Sequence, residues 1–218
     1  MGLRLGDTAP DFVAQTTEGT IRFHEWTGDS WAVLFSHPKD FTPVCTTELG
    51  SVAKLSPEFR RRNVKLAGLS VDSLESHHRW LDDIEETQGV RPEYPIIADT
   101  DLNVSKLYGM LEEDAEGDAA SRCAMDNLTV RSVFVIDPGK KVRLVTMYPM
   151  QTGRNFTELL RAVESLQLTT RHPVATPANW QPGEDVMINL MVSDEKAHAL
   201  YGDFKAPKPY MRIISSPA

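Results

Sequence analysis

The sequence predicts an α/β protein in which helices cover a central sheet of mixed strand direction. Short apolar segments of strand length alternate with segments whose apolar residues recur at helical spacing. Residues 31–35 are apolar throughout, and the Val, Leu and Ala content of residues 64–71 suits a central strand buried on both faces. Residues 130–136 and 142–148 read as two further strands joined by a tight turn, which indicates a hairpin. Alternating strands and helices together with a hairpin predict the mixed sheet.

The first elements are a hairpin, a strand and a long helix. A glycine turn followed by the alternating residues 21–23 predicts the small hairpin. The strand at residues 31–35 leads into a helix that carries apolar residues at helical spacing, namely Leu49, Val52, Ala53, Leu55 and Phe59. The segment that carries the cysteine described below lies between this strand and this helix.

The middle of the chain repeats the pattern of helix and strand. Asp72 and Ser73 can cap a helix over residues 74–86. A short strand at residues 94–98 and a short helix at 102–108 follow. Residues 112–122 are polar and acidic, and they predict a surface loop before the hairpin.

The carboxy-terminal part differs in composition from the rest. The last long helix is predicted over residues 155–168, with its apolar residues on one stripe. After it the chain holds many prolines, one short strand at 186–192 and one short helix at 194–201. We expect these fifty residues to be too few to bury a core of their own and to pack on the main domain or on a second subunit. The predicted domains are residues 1–168 and a small α+β domain at 169–218.

Composition limits the kinds of function. The chain has 218 residues, 41% of them hydrophobic, which is enough for one substantial core. Its net charge of -8 argues against a sequence-independent nucleic-acid binder and against stable association with an anionic membrane. The chain has only two cysteines and no apolar signal segment, so it is not a disulfide scaffold and we expect a reducing, cytoplasmic compartment.

One cysteine stands where a strand gives way to a helix. Pro38 and Pro43 lack backbone donors and disfavour a helical residue before them, so the helix begins at about Val44 or Cys45. Cys45 therefore lies in the first helical turn, where unpaired N–H groups and the positive end of the helix dipole favour a thiolate. This placement predicts a reactive cysteine.

The surrounding segment, SHPKDFTPVCTTELG at residues 36–50, resembles the active-site motif of the peroxiredoxins, in particular the one-cysteine, peroxiredoxin-six-like branch of the AhpC/TSA type. APDF near the start, TVRSVFVIDP, TGRNF and ANWQPGEDVMI extend the resemblance over nearly the whole chain. The resemblance implies a thioredoxin-like fold with an added carboxy-terminal domain. It also implies a homodimer or a higher oligomer, and thiol-dependent reduction of hydroperoxides.

The resemblance assigns the peroxide chemistry to a small set of residues. Cys45 is the nucleophile, and Pro38, Thr42 and Cys45 carry the spacing of the motif. Arg131 is implied to donate to the thiolate and to the peroxide oxygen. The Thr42 hydroxyl can hold a peroxide oxygen, since it both donates and accepts. Pro43 and its neighbour Val44 complete the motif, and Pro43 is expected to shield the sulfur from water.

Three further side chains are implied to support the site. Glu48 lies one helical turn beyond Cys45 and is expected to orient an arginine. Arg154, in the TGRNF turn, is expected to support Arg131. His37 resembles a family histidine near the pocket and is expected to line the path of the peroxide. No metal, haem, flavin or other cofactor is expected.

The oxidised cysteine must be reduced by a second thiol. The carboxy-terminal segment contains no cysteine, and the other cysteine of the chain, Cys123, is expected to be a bystander. The expected partner is therefore an external thiol such as glutathione or a thioredoxin-like protein. An internal disulfide between Cys45 and Cys123 would contradict this expectation.

Two alternatives come from other classes of function. The first is a structural or chaperone-like oligomer in which Cys45 is a redox sensor. The second is a residual phospholipase activity, which some relatives are credited with, based on a serine in a GDSWG motif, an upstream histidine and an aspartate in the hairpin turn. Ser30 and His24 match the first two positions, but Ala32 replaces the last glycine and Gly139 stands where the aspartate would fall. Without a carboxylate the histidine lacks its orienting partner.

Adjacent histidines at 77 and 78 raise the question of a metal site. Neighbouring helical residues point about 100° apart and do not easily share an ion. The sequence therefore predicts a solvated helix face at His77 and His78.

Overall fold

A computed structural model describes residues 2–111 and 128–217 of the chain. The predicted acidic loop at 112–122 and Cys123 lie outside the described residues. The chain divides into two compact units, Met1–Phe156 and Thr157–Ala218. The division falls before the last long helix, whereas the sequence places it after that helix. The difference arises because Leu168 of this helix belongs to the hydrophobic core of the second unit.

The first unit contains a seven-stranded sheet, and four helices connect strands that follow one another in the sequence. The strands are β1 (Val13–Thr16), β2 (Gly19–Arg22), β3 (Trp31–Ser36), β4 (Val64–Ser70), β5 (Ile96–Ala98), β6 (Arg131–Ile136) and β7 (Val142–Tyr148). The helices are α1 (Phe23–Thr27), α2 (Pro43–Arg61), α3 (Leu74–Gln88) and α4 (Asn103–Tyr108). The strand order is β2-β1-β5-β4-β3-β6-β7. Of these elements, only the short helix α1 is absent from the sequence prediction.

The sheet is mixed, as the sequence predicts. Strands β3, β4 and β5 run parallel, while β6 pairs with β3 and with β7 in the antiparallel sense. Every residue of β3 and of β6 is buried, and both strands are apolar except for Ser36 at the end of β3 and for Arg131 and Ser132 at the start of β6. On one face, alternate residues of β3 and β6 such as Leu34 and Phe134 enter the main core cluster. The opposite face carries the site described below.

Helix α2 begins at Pro43, one residue before the earliest predicted start, because proline fits the first position of a helix. Pro43 occupies the first turn, Thr42 is the residue before the helix with an extended backbone, and Cys45 lies in that turn. The Thr42 side chain does not cap the helix, so the first N–H groups of α2 receive no hydrogen bond from it. Helix α3 differs, because Ser73 Oγ accepts a hydrogen bond from the Ser76 N–H, as predicted from the sequence.

The second unit has its own small core, and the expectation that it would lack one is wrong. Helix α5 (Phe156–Arg171) leads into a four-stranded sheet of β8 (Val174–Ala175), β9 (Val186–Ile188), β10 (Lys205–Lys208) and β11 (Met211–Ile214), with α6 (Asp194–Tyr201) between β9 and β10. The core residues of this unit are Leu168, Val174, Trp180, Val186, Ile188, Val192, Ala197 and Ile214. The predicted strand at 186–192 ends at Ile188, because a turn follows in which Val192 N–H donates to the Asn189 carbonyl. Leu168 of α5 and two unpredicted strands, β8 and β11, contribute buried residues to this core.

None of the helices among the described residues combines the length and the apolar character needed to cross a bilayer.

Candidate active site

Cys45 is fully buried at the amino-terminal end of α2, and a guanidinium contacts its sulfur. The side chain has no exposed surface. Arg131, the first residue of β6, places its Nη1 at 3.4 Å from Cys45 Sγ. Strand β6 is adjacent to β3, and the chain after β3 turns into α2, so the sheet order brings these two residues together. A guanidinium in contact with the sulfur and the helix amino terminus both favour a negative charge on sulfur.

Glu48 joins the two predicted arginines into one buried network. Its Oε2 accepts from Arg131 Nη1 at 2.5 Å and from Arg154 Nη2 at 2.8 Å. Its Oε1 accepts from the Nε and from the backbone N–H of Arg154, at 2.9 and 2.8 Å. All three side chains are 3% exposed. Because each guanidinium is held in place by the same carboxylate, Arg131 is fixed against the sulfur before any substrate arrives.

Backbone carbonyls complete the support of both guanidinium groups. Arg131 Nε donates to the Met150 carbonyl at 2.8 Å, and Arg154 Nη1 donates to the Ser132 carbonyl at 2.9 Å. The Arg154 guanidinium also packs over the rings of Phe35 and Phe156. The two carbonyl partners cannot be predicted from the sequence, because every residue type supplies a backbone carbonyl.

Glu48 is expected to contribute stability that is lost in acid. Burial opposes its ionisation, but hydrogen bonds and charge from Arg154, and then the charge of Arg131, outweigh burial and hold the pKa of Glu48 below its usual range. Since the folded-state pKa lies below the unfolded value of about 4.3, this stability is fully present above that value and is lost as the pH falls through the folded-state pKa.

The free energy of unfolding, measured by denaturant titration at a series of pH values, tests this expectation. Glu48→Gln leaves two buried guanidinium groups without their counter-charge, so we expect a loss of about 3–5 kcal/mol at neutral pH. In the variant, the free energy of unfolding should also decrease less steeply as the pH falls through the acid range. Asp40, described below, titrates in both proteins, so the difference between the slopes isolates Glu48. Equal slopes would contradict the assignment.

The motif residues before Cys45 occupy different environments. Pro38 is buried, Pro43 is exposed, and Thr42 and Val44 are partly buried. The Thr42 hydroxyl donates to the Lys39 carbonyl at 2.9 Å, which leaves its oxygen lone pairs available to accept. Thr42 is therefore oriented by the preceding turn rather than used as a helix cap.

His37 and His77 converge on one buried carboxylate. His37 Nε2 lies 2.9 Å from Asp40 Oδ1, and His77 Nδ1 lies 2.7 Å from Asp40 Oδ2. Both imidazoles are fully buried. The prediction that His77 lies on a solvated helix face is therefore wrong for His77, because α3 turns that residue toward the sheet. His78, its neighbour, is exposed as predicted.

These three side chains also form a group that can offer ligands to a metal ion. The candidate ligand atoms of His37, Asp40 and His77 all lie within 4.8 Å of one another. Both imidazole nitrogens that face Asp40 are within hydrogen-bonding distance of its oxygens, so an ion would have to displace the protons between them. The sequence analysis missed this group, since Asp40 belongs to the motif and His77 follows it by 37 residues.

Ser30 and His24 bond to other partners and not to each other. The Ser30 hydroxyl donates to Asn63 Oδ1 at 2.7 Å, and His24 Nε2 lies 2.7 Å from the Ala9 carbonyl. Asp137, the nearest carboxylate in sequence to Gly139, accepts from Arg143 and from the Lys141 N–H. The contacts described at these positions are thus structural hydrogen bonds within the first unit.

Comparison with known families agrees with this geometry. Residues 5–145 match the model of the AhpC/TSA family, and residues 165–203 match the C-terminal domain of 1-Cys peroxiredoxin. Peroxiredoxin PRX1, mitochondrial, of Saccharomyces cerevisiae is 52% identical over 98% of this chain and 81% of its own length. Peroxiredoxin-6 of Rattus norvegicus is 49% identical over 99% of both chains.

Solved structures show the same architecture. The C45S mutant of the Peroxiredoxin 6 of Arenicola marina has a TM-score of 0.90 at 45% identity and covers 99% of both chains. The yeast mitochondrial 1-Cys peroxiredoxin has a TM-score of 0.89 at 51% identity, covering 98% of this chain and 100% of that one. The predicted thioredoxin-like fold is confirmed. With two family models and full-length relatives at about half identity, the chain belongs to the AhpC/TSA family, in its 1-Cys peroxiredoxin branch, and is a thiol-dependent peroxidase.

Proposed function

We propose that Cys45 reduces hydrogen peroxide and organic hydroperoxides to water or alcohol, with Arg131 as the residue that stabilises the reacting charges. The observation that carries this proposal is the contact of Arg131 Nη1 with Cys45 Sγ at 3.4 Å inside a fully buried site. A single guanidinium with several donors can contact both the thiolate and an incoming oxygen.

The chemistry follows from the polarity of the site. The thiolate attacks one peroxide oxygen, an S–O bond forms, and the O–O bond breaks while negative charge develops on the departing oxygen. A preorganised cation in a buried site stabilises that charge more strongly than solvent does. Because Glu48 already holds Arg131 in position, the site does not need to reorganise during the reaction.

Thr42 and His37 are proposed to contact the peroxide itself. The Thr42 hydroxyl already donates to Lys39, so its oxygen is free to accept a hydrogen bond from a peroxide O–H. Pro43 sits on the exposed side of the first helical turn and is proposed to limit the access of water to the sulfur. Arg154 and Glu48 are proposed to act indirectly, by holding Arg131 in position.

Rapid mixing of the reduced protein with hydrogen peroxide tests the proposal against the sensor alternative. An enzyme should consume peroxide far faster than free cysteine does, and should do so repeatedly when a thiol reductant is supplied. A protein that reacts once and no faster than free cysteine would be a structural or chaperone-like sensor, and the peroxidase assignment of Cys45 would fail.

The sulfenic acid of Cys45 is proposed to be reduced by an external thiol. The structure of the yeast mitochondrial relative is described as showing a thiol resolving mechanism via glutathione/thioredoxin systems. This supports glutathione or a thioredoxin-like protein as the reductant here. A homodimer and a cytoplasmic location stay predictions from the sequence, and sedimentation and cell fractionation measure them.

Replacing Cys123 by serine is expected to leave peroxide turnover unchanged within about twofold, since Cys123 is expected to take no part in the reaction and substitutions away from a site usually have small effects. Intact mass after one equivalent of peroxide should show one added oxygen atom in the wild-type protein and in Cys123→Ser. A loss of two hydrogen atoms without a gain of oxygen, seen in the wild type alone, would reveal a disulfide between Cys45 and Cys123. That outcome would overturn the external-thiol mechanism.

A further inference from the structure

Three buried side chains of metal-ligating types converge in the first unit. His37 and Asp40 lie in the segment between β3 and α2, and His77 lies near the start of α3. Both imidazoles are fully buried, and Asp40 is 2% exposed. Their candidate ligand atoms, one from each side chain, lie within 4.8 Å of one another. The peroxide chemistry proposed above assigns no function to Asp40 or to His77.

The charge of the Asp40 carboxylate has no lysine or arginine beside it in the described contacts. Its oxygens face His37 and His77, and they accept from the Ser76 hydroxyl at 2.8 Å. A buried charge in a protein is paired with an opposite charge or coordinates a metal. A cation held between the carboxylate and the two imidazoles would supply the missing positive charge.

The outer contacts of these side chains are those of metal ligands. A histidine that binds a metal usually donates its other ring N–H to a carbonyl or a carboxylate, and this contact orients the ring. His77 Nε2 lies 3.2 Å from the Ile97 carbonyl, while Nδ1 faces Asp40 Oδ2 at 2.7 Å. Ligating carboxylates are themselves hydrogen-bonded, and Ser76 provides that bond to Asp40.

The distances between the ligand atoms are close to those around a small divalent ion. His37 Nε2 is 2.9 Å from Asp40 Oδ1, so the two imidazoles face different oxygens of one carboxylate. Ligand atoms about 2.1 Å from a tetrahedral zinc ion are roughly 3.4 Å apart, so each imidazole has to move outward by only about half an ångström.

The types of ligand select the class of ion. Ca²⁺ and Mg²⁺ take oxygen ligands, which two imidazole nitrogens do not provide. Two imidazoles and one carboxylate are an established ligand set for Zn²⁺, and three protein ligands leave one position of a tetrahedral site for a small ligand such as water.

We propose that His37, Asp40 and His77 bind one Zn²⁺ ion, which joins the segment that carries the peroxidase motif to helix α3. The ion takes no part in the peroxide reaction, and Cys45 is not one of its ligands. Of the residues proposed to contact the peroxide, the zinc site shares only His37, through Nε2. Its Nδ1 is buried and has no hydrogen-bond partner among the described residues, so it stays available for the proposed contact with the peroxide.

Zinc binding by a variant without thiols tests the proposal. Cys45→Ser combined with Cys123→Ser removes both cysteines as zinc ligands and prevents any reaction with peroxide. After treatment with a chelator, calorimetric titration with Zn²⁺ should give one site per chain. Co²⁺ in the same site should show the absorption of an ion with nitrogen and oxygen ligands. If no one-to-one site is found, the proposal is wrong, and protons rather than an ion lie between Asp40 and the imidazoles.

The variant His77→Asn assigns the site. The asparagine amide keeps an N–H close to the position of His77 Nδ1 but is not a zinc ligand, so Asp40 keeps a donor while the ion loses a ligand. We expect the affinity for Zn²⁺ to fall by more than about 100-fold, since the loss of an outer-shell partner alone costs 10- to 100-fold. His78→Asn, the same change at the exposed neighbour, should keep the affinity. Unchanged affinity in His77→Asn, or an equal loss in His78→Asn, would overturn the proposal.

Nitrogen NMR of the histidine side chains identifies the ligand atoms without a substitution at the site. One equivalent of Zn²⁺ should shift the signals of His37 Nε2 and His77 Nδ1 and leave the signal of His78 in place. Shifts confined to other histidines would show an adventitious surface site and would overturn the proposal.

Thermal unfolding with Zn²⁺ and with a chelator measures the effect on stability. An ion that binds only the folded protein should raise the midpoint by about 5–10 °C at a free concentration 100-fold above its Kd. His77→Asn should show no such rise, and the absence of a rise in the wild type would contradict the proposal. A wild-type protein that binds zinc as described but consumes no peroxide would contradict only the proposed function, whereas one that consumes peroxide without binding zinc would overturn only this inference.

Discussion

Replacing Cys45 by serine is expected to abolish peroxide reduction, with a loss on the order of 10⁴-fold or more in the rate of peroxide consumption. The serine hydroxyl stays protonated near neutral pH and is a poor nucleophile toward oxygen, whereas the thiolate is soft and reactive. Cys45 is fully buried and the substitution is close to isosteric, so the fold should be retained. Peroxide consumption under rapid mixing measures the effect.

The thermal unfolding of Cys45→Ser serves as its control. A variant that unfolds as the wild type does, yet consumes no peroxide, assigns the loss to the sulfur. Cys123→Ser should keep the wild-type rate in the same assay. If Cys45→Ser retains some turnover and a variant that carries both Cys45→Ser and Cys123→Ser has none, Cys123 is an alternative nucleophile.

Replacing Arg131 by lysine is expected to lower the rate of Cys45 oxidation roughly 10²- to 10³-fold, the effect of removing one preorganised donor to a developing charge. In the wild type, the Arg131 guanidinium donates to three partners, which are Glu48, the Cys45 sulfur and the Met150 carbonyl. Two side-chain nitrogens of Arg154 also donate to Glu48. A lysine keeps the charge but has a single nitrogen, which cannot serve all three partners of Arg131. Stopped-flow measurement of sulfenic acid formation quantifies the loss.

Arg91→Lys provides a matched control for Arg131→Lys. Arg91 pairs only with exposed carboxylates in the described contacts, Asp82 and Glu85, so its replacement should change neither rate nor stability appreciably. If Arg131→Lys reacts as fast as the wild type, the guanidinium is not the group that stabilises the reacting charges. The helix amino terminus would then be the main source of stabilisation.

The local structure of the nucleophile could be predicted from the sequence because its causes are local. Two prolines and an apolar strand fix where α2 begins, and Cys45 falls in the first turn for that reason alone. The helix cap at Ser73 and the hairpin of β6 and β7 follow from equally short-range signals. The family resemblance identified Arg131, Arg154 and Glu48 as site residues, which the hydrophobic periodicity of the sequence does not reveal.

The second unit shows the limit of such local signals. Strands β8, β10 and β11 are two to four residues long, and β10 has no buried residue, so their sequences lack a clear apolar alternation. The core of this unit combines Leu168 of α5 with residues of β8, β9, α6, β11 and the segments between them. The expectation rested on the small number of residues, yet seven of the eight core residues lie in the last fifty positions and one, Leu168, precedes them.

By itself, the sequence determined a mixed α/β sheet, a cysteine in the first turn of a helix and a family motif around it. The tertiary structure alone decided that Glu48 bonds both Arg131 and Arg154, from 83 and 106 residues away. It also decided that His77 turns inward to Asp40. Turn and helix signals act within a few residues, whereas these contacts depend on strand order and on which face of a helix meets the sheet. Those are settled only when the whole chain packs.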